Sequence, residues 1–580
     1  VKPPPFWKSD SVDNDLVMEW TTASDGDSIE LSGVTSTTLD YDYDVDWGDG
    51  SAIETNVTIH DKTHTYTTAG TYEVRIKSSS TSFALDISTG SSANKLLLTK
   101  FKNWGTVALQ SLHQMFYGAE NMVYEATDYP NLTALNSITS YKSAKNMFRK
   151  CLAITNLDIS NWQNEDLLIN TTAWEYFIYD CQNIQTFNAS NLTTAATCTS
   201  LQYFAYKAGL NVGCNFTMDN CSFTGVTNLS NCFNSVKANT IFSVENWTLK
   251  NASGGTNAVS LFIGVDSVAG TGNINLDLSG WTNTSCLNNF NNFFRGCDAF
   301  GEINMSNWDT SNVTNLAYMF YANYQTTKIE GLEDWNSSSV TTMNNAFYLA
   351  HRLSFPTSTS NFGSAWGTNL GNCANFNNTF AQCGYLVTGS PPNISNWDMS
   401  GATTIASMFS SARFSSSIDP TNWDVSSLTG AQSSIFLNMD GLSGVLDLSA
   451  WNFTNAVTSL TNFVRGTDIT SLTFSNSADF SSVTNMSYFC YVASNLTTLT
   501  FGASVSFASC TTWVNAFTSV TLDTASYDAL LIRNEATNSN TVTLTGGSSL
   551  YTKAPSAAAT ARAALIADHS WTITDGGPTP

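Results

Sequence analysis

The sequence predicts an α/β solenoid of leucine-rich-repeat type, preceded by a small all-β sandwich domain and closed by a C-terminal α/β cap. Three observations predict the solenoid. A short phrase recurs fifteen times between residues 116 and 517, each copy opens with strand-like alternation, and apolar residues at helical spacing follow. Copies at near-constant spacing are typical of stacked coils that contact only their neighbours.

The phrase is clearest at residues 303–320, which read INMSNWDTSNVTNLAYMF. We call the last apolar residue of each copy its anchor, and successive anchors are 26 to 33 residues apart. The anchors are Phe116, Phe148, Ile178, Ala205, Phe233, Phe262, Phe294, Phe320, Phe347, Phe380, Phe409, Phe436, Val464, Cys490 and Phe517.

The first half of a copy alternates apolar and polar residues, as at 157–160, and this predicts a strand with one buried face. A Trp such as Trp308 closes the strand in many copies. Apolar residues three or four apart follow, for example Leu316, Met319 and Phe320, and predict a helical turn or two. Each of about 15 coils is therefore predicted to be a short parallel strand plus a helical turn.

One such coil cannot bury its own apolar side, so stacking predicts continuous interior rows of Trp and of the anchor residues. The alternative use of these aromatic residues is stacking on carbohydrate. The predicted structural ladder consists of Trp162, Trp281, Trp308, Trp335, Trp397, Trp423, Trp451, Phe320, Phe347 and Phe409.

The phrase at 304–320, with echoes at 393–409 and 422–436, resembles the BspA-like leucine-rich repeats over about residues 95–522. The resemblance implies a surface protein of bacteria, protists or viruses, with adhesion as the usual role and no catalytic residues. Copies at 205–265 and 350–380 depart from the pattern, and we expect binding loops there.

Residues 11–90 contain no copy of the phrase, and alternation at 41–47 and 70–77 predicts strands of a small sandwich. The motifs DWGDG at 46–50, HTY at 64–66 and AGTY at 69–72 resemble the PKD domain, an immunoglobulin-like module. This resemblance implies an extracellular spacer or interaction domain. Residues 1–10 include three consecutive prolines and are predicted to form an extended arm.

Residues 91–522 form the predicted solenoid, and residues 523–580 form the predicted cap. Helical composition at 526–535 and 557–567, with strand patterns at 541–544 and 571–574, predicts the cap, because a solenoid needs a terminal unit that covers its last coil. Residues 551–577 resemble the tails of repeat proteins from phages and environmental bacteria, which adds a virion protein as an alternative.

The formal net charge is −23 and the pI about 4.4, so nucleic acid and anionic membrane surfaces are excluded as expected partners. The repeat array has no apolar run long enough to cross a bilayer. Alternation places Asp42, Asp44 and Asp46 on one face, with Asp49 in the following turn. A solvated acidic strand explains them, and the alternative is a calcium site, the one cofactor that the sequence suggests.

The twelve cysteines follow the repeat, which predicts buried free thiols rather than a disulfide framework. Cys151 and Cys181 occupy equivalent places in adjacent coils, so a single bridge between them is the alternative.

The five histidines are scattered, and the phosphate-binding, zinc-protease and nucleophile-elbow motifs are absent from the sequence. We therefore expect a non-enzymatic extracellular protein, structural or adhesive, that self-associates or binds surface proteins, glycans or a host receptor. A virion decoration or tail-fibre protein is one alternative. The other is a polysaccharide-active enzyme, whose candidate carboxylates are Glu302, Asp309, Glu330, Glu333 and Asp334.

Overall fold

The computed structural model describes residues 13–34, 39–135, 139–163, 165–251, 255–268, 270, 272–355, 369–386, 389–454 and 456–580. The chain divides into two compact units, Val1–Cys286 and Leu287–Pro580. In the residues that the structure describes, each unit is built of β-solenoid turns with little helix, and the turns number about 17 in all. The arm predicted for residues 1–10 lies outside the described residues, as do residues 252–254 and 356–368 of the copies predicted to be irregular.

The first unit contains short strands and little helix. Its α-helix is α1, Ser92–Leu97, and its 3-10 helices are Ile87–Thr89, Thr139–Tyr141, Glu165–Leu167 and Thr284–Cys286. Its strands are β1 Leu16–Thr21, β2 Ser28–Leu31, β3 Tyr43–Asp46, β4 Glu54–Val57, β5 Lys62–Thr65, β6 Thr71–Ile76, β7 Phe83–Ala84, β8 Leu98–Asn103, β9 Leu109–Ser111, β10 Val123–Tyr124, β11 Asn156–Asp158, β12 Thr186–Asn188, β13 Cys214–Thr217, β14 Lys237–Ser243, β15 Thr256–Asn257, β16 Asp266–Ser267 and β17 Ile274–Asp277.

The N-terminal strands share their sheets with the first coils. A six-stranded sheet has the order β10-β8-β1-β6-β3-β4, in which β1 is antiparallel to β6 and β8, and β8 is parallel to β10. The strands β2 and β5 form a separate antiparallel pair, and β7 pairs with β9 in parallel. The predicted boundary at residue 90 therefore falls inside two continuous sheets.

Further along the first unit, equivalent strands of successive coils pair in parallel. The sheet β11-β12-β13-β14-β16 brings Leu157, Phe187 and Phe216 into register, and all three side chains are buried. The indole rings of Trp247 and Trp281 stack with centroids 4.5 Å apart. Like residues thus lie over like residues, as stacking of repeats requires.

The second unit follows the same plan. In its described residues the α-helices are α2 Thr524–Thr537 and α3 Ala557–His569, and the 3-10 helix is Leu332–Asp334. Its strands are β18 Leu287–Asn289, β19 Phe300–Asn304, β20 Lys328–Glu330, β21 Gly430–Ala431, β22 Ser443–Leu448, β23 Val457–Ser459, β24 Asp468–Phe474, β25 Thr498–Thr500, β26 Thr512–Trp513, β27 Thr543–Thr545 and β28 Thr572–Thr574. Parallel pairing joins β22-β24-β25 and β26-β27-β28.

A row of anchor phenylalanines forms the core of the second unit. Neighbouring rings stack with centroids 5.2 to 6.0 Å apart and planes within 12° of each other, in the order Phe294, Phe320, Phe347, Phe380, Phe409 and Phe436. Every residue of the predicted structural ladder is buried, with at most 5% exposed. In both units these aromatic rings are therefore interior packing.

The helical turn predicted for each coil is wrong. In all fifteen coils the residues two before and two after the anchor have positive φ, for example Tyr318 at 58° and Ala322 at 54° around Phe320. The N–H groups of these two residues donate to the carbonyls of Asn344 and Tyr348 in the next coil, at 3.0 and 2.8 Å. An α-helix would direct the same N–H groups along its own axis. The α-helices of the described residues lie outside the span of the anchors.

Apolar residues three or four apart therefore mark a tight, repeated turn, whose backbone hydrogen bonds join neighbouring coils. Asn occupies seven of the fifteen positions two before the anchor. Asn tolerates the left-handed backbone conformation better than most residues, which explains the asparagine at these seven positions.

The helices predicted at 526–535 and 557–567 are confirmed as α2 and α3. Helix α2 lies beside the edge strand β25, where the Ser526 hydroxyl accepts a hydrogen bond from the Leu499 N–H at 3.1 Å. The Asp523 side chain accepts from the Ser526 N–H and caps the helix. The edge of β25 is thus covered rather than left open.

Candidate functional site

The three N-terminal motifs meet in one aromatic cluster. The His64 ring stacks on Trp47 with centroids 4.8 Å apart, and Tyr66 stacks on Tyr72 at 3.8 Å. The Tyr66 hydroxyl donates to the Trp47 carbonyl at 2.9 Å. These motif residues are therefore used in packing between strands.

The four aspartates of the predicted calcium site are satisfied separately. Each carboxylate accepts a hydrogen bond from a neighbour in its own turn or sheet: Asp42 from Thr81, Asp44 from Ser79, Asp46 from the Gly48 N–H and Asp49 from the Ser51 N–H. Burial raises the pKa of Asp49, but hydrogen bonds from Ser51 and His64 outweigh it and lower the pKa to about 2. Among the described residues, no group of three or more His, Cys, Asp or Glu is arranged to hold a metal ion. Calcium binding stays a prediction.

The candidate carboxylates of the enzyme alternative lie on the strands β19 and β20, on a 3-10 helix and in a loop. Glu302 lies opposite Lys328 in the β19–β20 register, and Lys328 forms an ion pair with Glu330 on its own strand. Glu333 and Asp334 belong to the 3-10 helix Leu332–Asp334. The fifth, Asp309, accepts a hydrogen bond from the Ser311 N–H at 3.0 Å.

All twelve cysteines are free and buried, as the sequence predicts. The alternative bridge between Cys151 and Cys181 is absent. Each of these two thiols donates instead to a carbonyl of the preceding coil, Cys151 to Phe116 at 3.0 Å and Cys181 to Phe148 at 2.9 Å. Burial raises the pKa of the Cys181 thiol to about 12, so it stays protonated and unreactive at neutral pH.

The surface carries an arginine–tyrosine arrangement that our sequence reasoning missed. An Arg directly after the anchor lies over two Tyr rings of the next coil. The guanidinium carbon of Arg149 lies 5.3 Å from the Tyr176 ring centroid and 4.6 Å from that of Tyr179. The same arrangement recurs twice in the second unit, as Arg295 over Tyr318 and Tyr321 and as Arg465 over Tyr488 and Tyr491. We call each an Arg–Tyr–Tyr clamp.

A sequence signal for the clamp existed. Tyr-x-x-Tyr spans an anchor in the copy that follows each of these arginines, at 176–179, 318–321 and 488–491. Tyr-x-x-Tyr would place both rings on one face of a helix as well. What the motif does not show is the register between coils, which sets Arg149 against Tyr176 and Tyr179 of the next coil.

Around Arg149 the clamp extends into a larger surface, which we call the basic–aromatic face. Tyr176 stacks on Tyr203 and Tyr179 stacks on Tyr206, with centroids 5.4 and 4.6 Å apart. The face consists of Lys95, Tyr117, Arg149, Lys150, Tyr176, Tyr179, Tyr203, Tyr206 and Lys207, and each of these residues is half-buried. Burial raises the pKa of Tyr176 and of Tyr179, so both keep their phenol protons at neutral pH.

A cleft of about 270 Å³ opens at one end of the face. Lys95, Tyr117 and Lys150 line it together with Ser92, Leu96, Gly118 and Glu120. The Lys95 ammonium donates to the Ser88 carbonyl at 2.9 Å and lies 5.6 Å from the Tyr117 ring centroid. The cleft thus combines two cations with hydroxyl groups and one carboxylate.

The copies at 205–265, which the sequence marks as irregular, carry exposed apolar side chains in neighbouring coils. They are Leu210, Val212 and Ile241, with Val268 just beyond residue 265, and each is between 36% and 51% exposed.

A comparison with protein families places the repeat. The family model described as "Mycoplasma protein of unknown function, DUF285" matches residues 64–200, 265–386 and 374–500, which is more than half of the chain. The chain belongs to the DUF285 family. The matched DUF285 segments include all three Arg–Tyr–Tyr clamps. Tyr203 and Tyr206 of the basic–aromatic face lie outside them. No curated protein matches the chain.

Among the described residues of this DUF285 protein, no helix is both long and apolar enough to cross a membrane.

Proposed function

We propose that this DUF285 protein is a non-enzymatic structural or adhesive protein, displayed at a cell surface or in extracellular filaments. The observation that carries the proposal is the coil stacking itself. Within each unit, aromatic anchors fill the interior, backbone hydrogen bonds join neighbouring coils, and most polar side chains lie outside. Such a solenoid offers an extended surface on which contacts of low individual affinity add up.

Two finer assignments belong to the proposal. The repeat is of BspA-like, leucine-rich-repeat descent, supported by the phrase at 304–320 and by its stacked parallel strands. Residues 11–90 are a PKD-like sandwich, supported by the antiparallel strands β1, β3 and β6 and by the cluster in which the three motifs meet.

We propose self-association, surface proteins, glycans or a host receptor as partners. The net charge of −23 opposes nucleic acid, and no direct insertion into a membrane is proposed. No cofactor is required for this role, with calcium at the four N-terminal aspartates as the alternative.

Antibody labelling tests the location. Gold-labelled antibody against the purified chain, applied to thin sections and to virus particles from the source, should mark the outer cell surface or extracellular filaments. Labelling confined to virions would replace the proposal with its alternative, a virion decoration or tail-fibre protein. Labelling confined to the cell interior would overturn both.

Self-association through the N-terminal arm has a separate test. Removing residues 1–90 would also remove β1, which pairs with β8, so that deletion would expose a new sheet edge. Removing residues 1–10 alone leaves the described strands in place. Filaments seen by electron microscopy should disappear in this shorter variant, and unchanged filaments would reject the arm as the connector.

The enzyme alternative has a direct assay. The pairing of Glu302 with Lys328 on adjacent strands places an acid and a base side by side, as a polysaccharide lyase or hydrolase would need. We expect no new reducing ends and no unsaturated products when the purified chain is incubated with a panel of polysaccharides. Products that disappear in Glu302→Gln would establish the enzyme.

A further inference from the structure

We propose that the basic–aromatic face, with the cleft at its end, binds an acidic polysaccharide. The inference deepens the proposed function and rests on it, since a glycan partner presupposes display outside the cell. Its experiment uses the purified chain, so its outcome is separate from that of the antibody labelling.

Charge is the first argument. Lys95, Arg149, Lys150 and Lys207 form no ion pair with any carboxylate of the described residues. A fifth cation near the face, Lys145, is neutralised by Glu175 at 2.8 Å. The acidic groups at or beside the face are Glu120, which lines the cleft, Asp180, which accepts from Gln182, and the buried Asp86, which lies near Lys95 and accepts from the Ser88 N–H.

Four cations without an ion pair against three carboxylates, one of them buried, make a locally positive surface on a chain whose net charge is −23. Such a surface attracts an anion that the rest of the protein repels, and it fixes where on the molecule the anion binds.

The arrangement of the rings is the second argument. Tyr117, Tyr179 and Tyr206 are stacked with the cations of Arg149 and Lys207, which lie 4.6 to 5.2 Å from the ring centroids. Much of the ring surface is therefore already covered by cations or by neighbouring rings. Little face remains on which a nucleic-acid base could stack.

The phenol hydroxyls, by contrast, remain available. None of the five tyrosines of the face uses its hydroxyl in a hydrogen bond to the part of the chain that the structure describes. A phenol hydroxyl both donates and accepts, as a sugar hydroxyl does. Hydroxyl groups alternating with cations match a polymer that alternates hydroxyl groups with carboxylates or sulfates.

The coil repeat is the third argument. The Tyr176–Tyr203 and Tyr179–Tyr206 pairs repeat the same groups at about 5 Å from one coil to the next. A ligand with its own regular repeat engages several such groups at once, so that weak single contacts give useful affinity. A single small anion would use only one of them.

Binding of the full chain to fluorescent alginate and chondroitin sulfate tests the proposal, with neutral dextran and poly-L-glutamate as comparison ligands. The two acidic glycans distinguish carboxylate from sulfate recognition. We expect binding to at least one of them, none to dextran, and an affinity for poly-L-glutamate that is lower by roughly tenfold.

The double variant Lys95→Gln/Lys150→Gln should lower the affinity for the acidic glycan by roughly tenfold, because two charge-assisted contacts are lost. The matched control Lys62→Gln/Lys250→Gln makes the same change in net charge in the same unit but outside the face, and it should bind within about twofold of the parent. Circular dichroism checks that both variants are folded.

A second variant keeps the ring packing. Tyr179→Phe/Tyr206→Phe removes two hydroxyls and leaves the stacked rings and the net charge unchanged, so its melting temperature should be that of the parent while glycan affinity falls roughly threefold or more. The proposal is overturned if neither acidic glycan binds, if poly-L-glutamate binds as tightly, or if the control variant loses as much affinity as Lys95→Gln/Lys150→Gln.

Discussion

The guanidinium of Arg149 lies 4.6 Å from the ring centroid of Tyr179, which belongs to the following coil. It also lies 5.2 Å from the ring of Tyr117, in the preceding coil. One side chain on the surface therefore connects three successive coils, whereas the anchors pack in the interior. Its Nε atom is buried and makes no hydrogen bond within the described structure, as expected for a guanidinium held between ring faces.

We expect Arg149→Ala to lower the stability of the first unit by about 1–2 kcal/mol, because cation–π contacts contribute about 0.5–1 kcal/mol each at partly exposed sites. Arg149→Lys should lose about half as much, since an ammonium stacks less well than a planar guanidinium. Urea unfolding followed by tryptophan fluorescence measures the change as a shift in midpoint.

The matched comparison is Arg465→Ala, which removes a clamp with two rings instead of three. Its effect should be smaller than that of Arg149→Ala. Equal stability of the parent and Arg149→Ala would show that the clamp contributes nothing to the free energy of unfolding.

The left-handed positions give a second prediction. Val492 has φ of 57° and is 43% exposed, so a β-branched residue there is held in a strained conformation. Val492→Gly should raise stability by about 0.5–1 kcal/mol, because relief of strain outweighs the greater entropy of glycine in the unfolded chain. The unfolding midpoint in urea measures it.

Gly296 provides the reverse experiment, since it occupies the equivalent position at φ 65° with open space around it. Gly296→Val should lower stability by about 1–2 kcal/mol through backbone strain alone. A shift of the midpoint in the same direction for both substitutions would contradict backbone strain as the cause.

The sequence was sufficient for the repeat, its register and its core. Trp308 and Phe320 could be assigned to the interior because the same residue types recur in many copies, and both are buried. Period alone could not separate a helical turn from the observed turn, because apolar residues three apart fit both. The deciding quantity is the direction of the Tyr318 and Ala322 N–H groups, and a side-chain pattern does not encode it.

The candidate site was less accessible to sequence reasoning. The aspartates at 42–49 form a conspicuous cluster along the chain, yet each is satisfied by a different neighbour. Arg149 and Tyr179 are 30 residues apart and attract no notice as a motif. They meet because one coil lies on the next, so this contact depends on the turn geometry that the sequence left undetermined.

The edge of β25 gives a third prediction. Ser526 is buried and accepts from the Leu499 N–H, so Ser526→Ala leaves a buried donor unpaired. We expect a loss of about 1–3 kcal/mol and faster amide exchange at 498–500. Hydrogen exchange with mass spectrometry measures the amide exchange rates of both β25 and α2. Thr524→Ala on the same helix is the control, and equal exchange in the two variants would contradict a role for the hydroxyl.

The buried thiols give the last prediction, a loss of stability at alkaline pH. Burial raises the pKa of Cys181 to about 12, whereas the ordinary value of a thiol is 9.0. Below pH 9 both the folded and the unfolded chain keep this proton, so the free energy of unfolding retains its full value. Between about pH 9 and 12 the unfolded chain loses the proton while the folded chain retains it, so stability falls as pH rises.

Cys181→Ala should make this fall less steep by up to about 1.4 kcal/mol per pH unit, because one linked proton is removed. Unfolding midpoints in urea at pH 7 to 11 measure the slopes of the parent and of Cys181→Ala. A parent whose stability is flat up to pH 11, or whose thiols react with a thiol reagent without denaturant, would contradict the sealed interior on which this pH dependence rests.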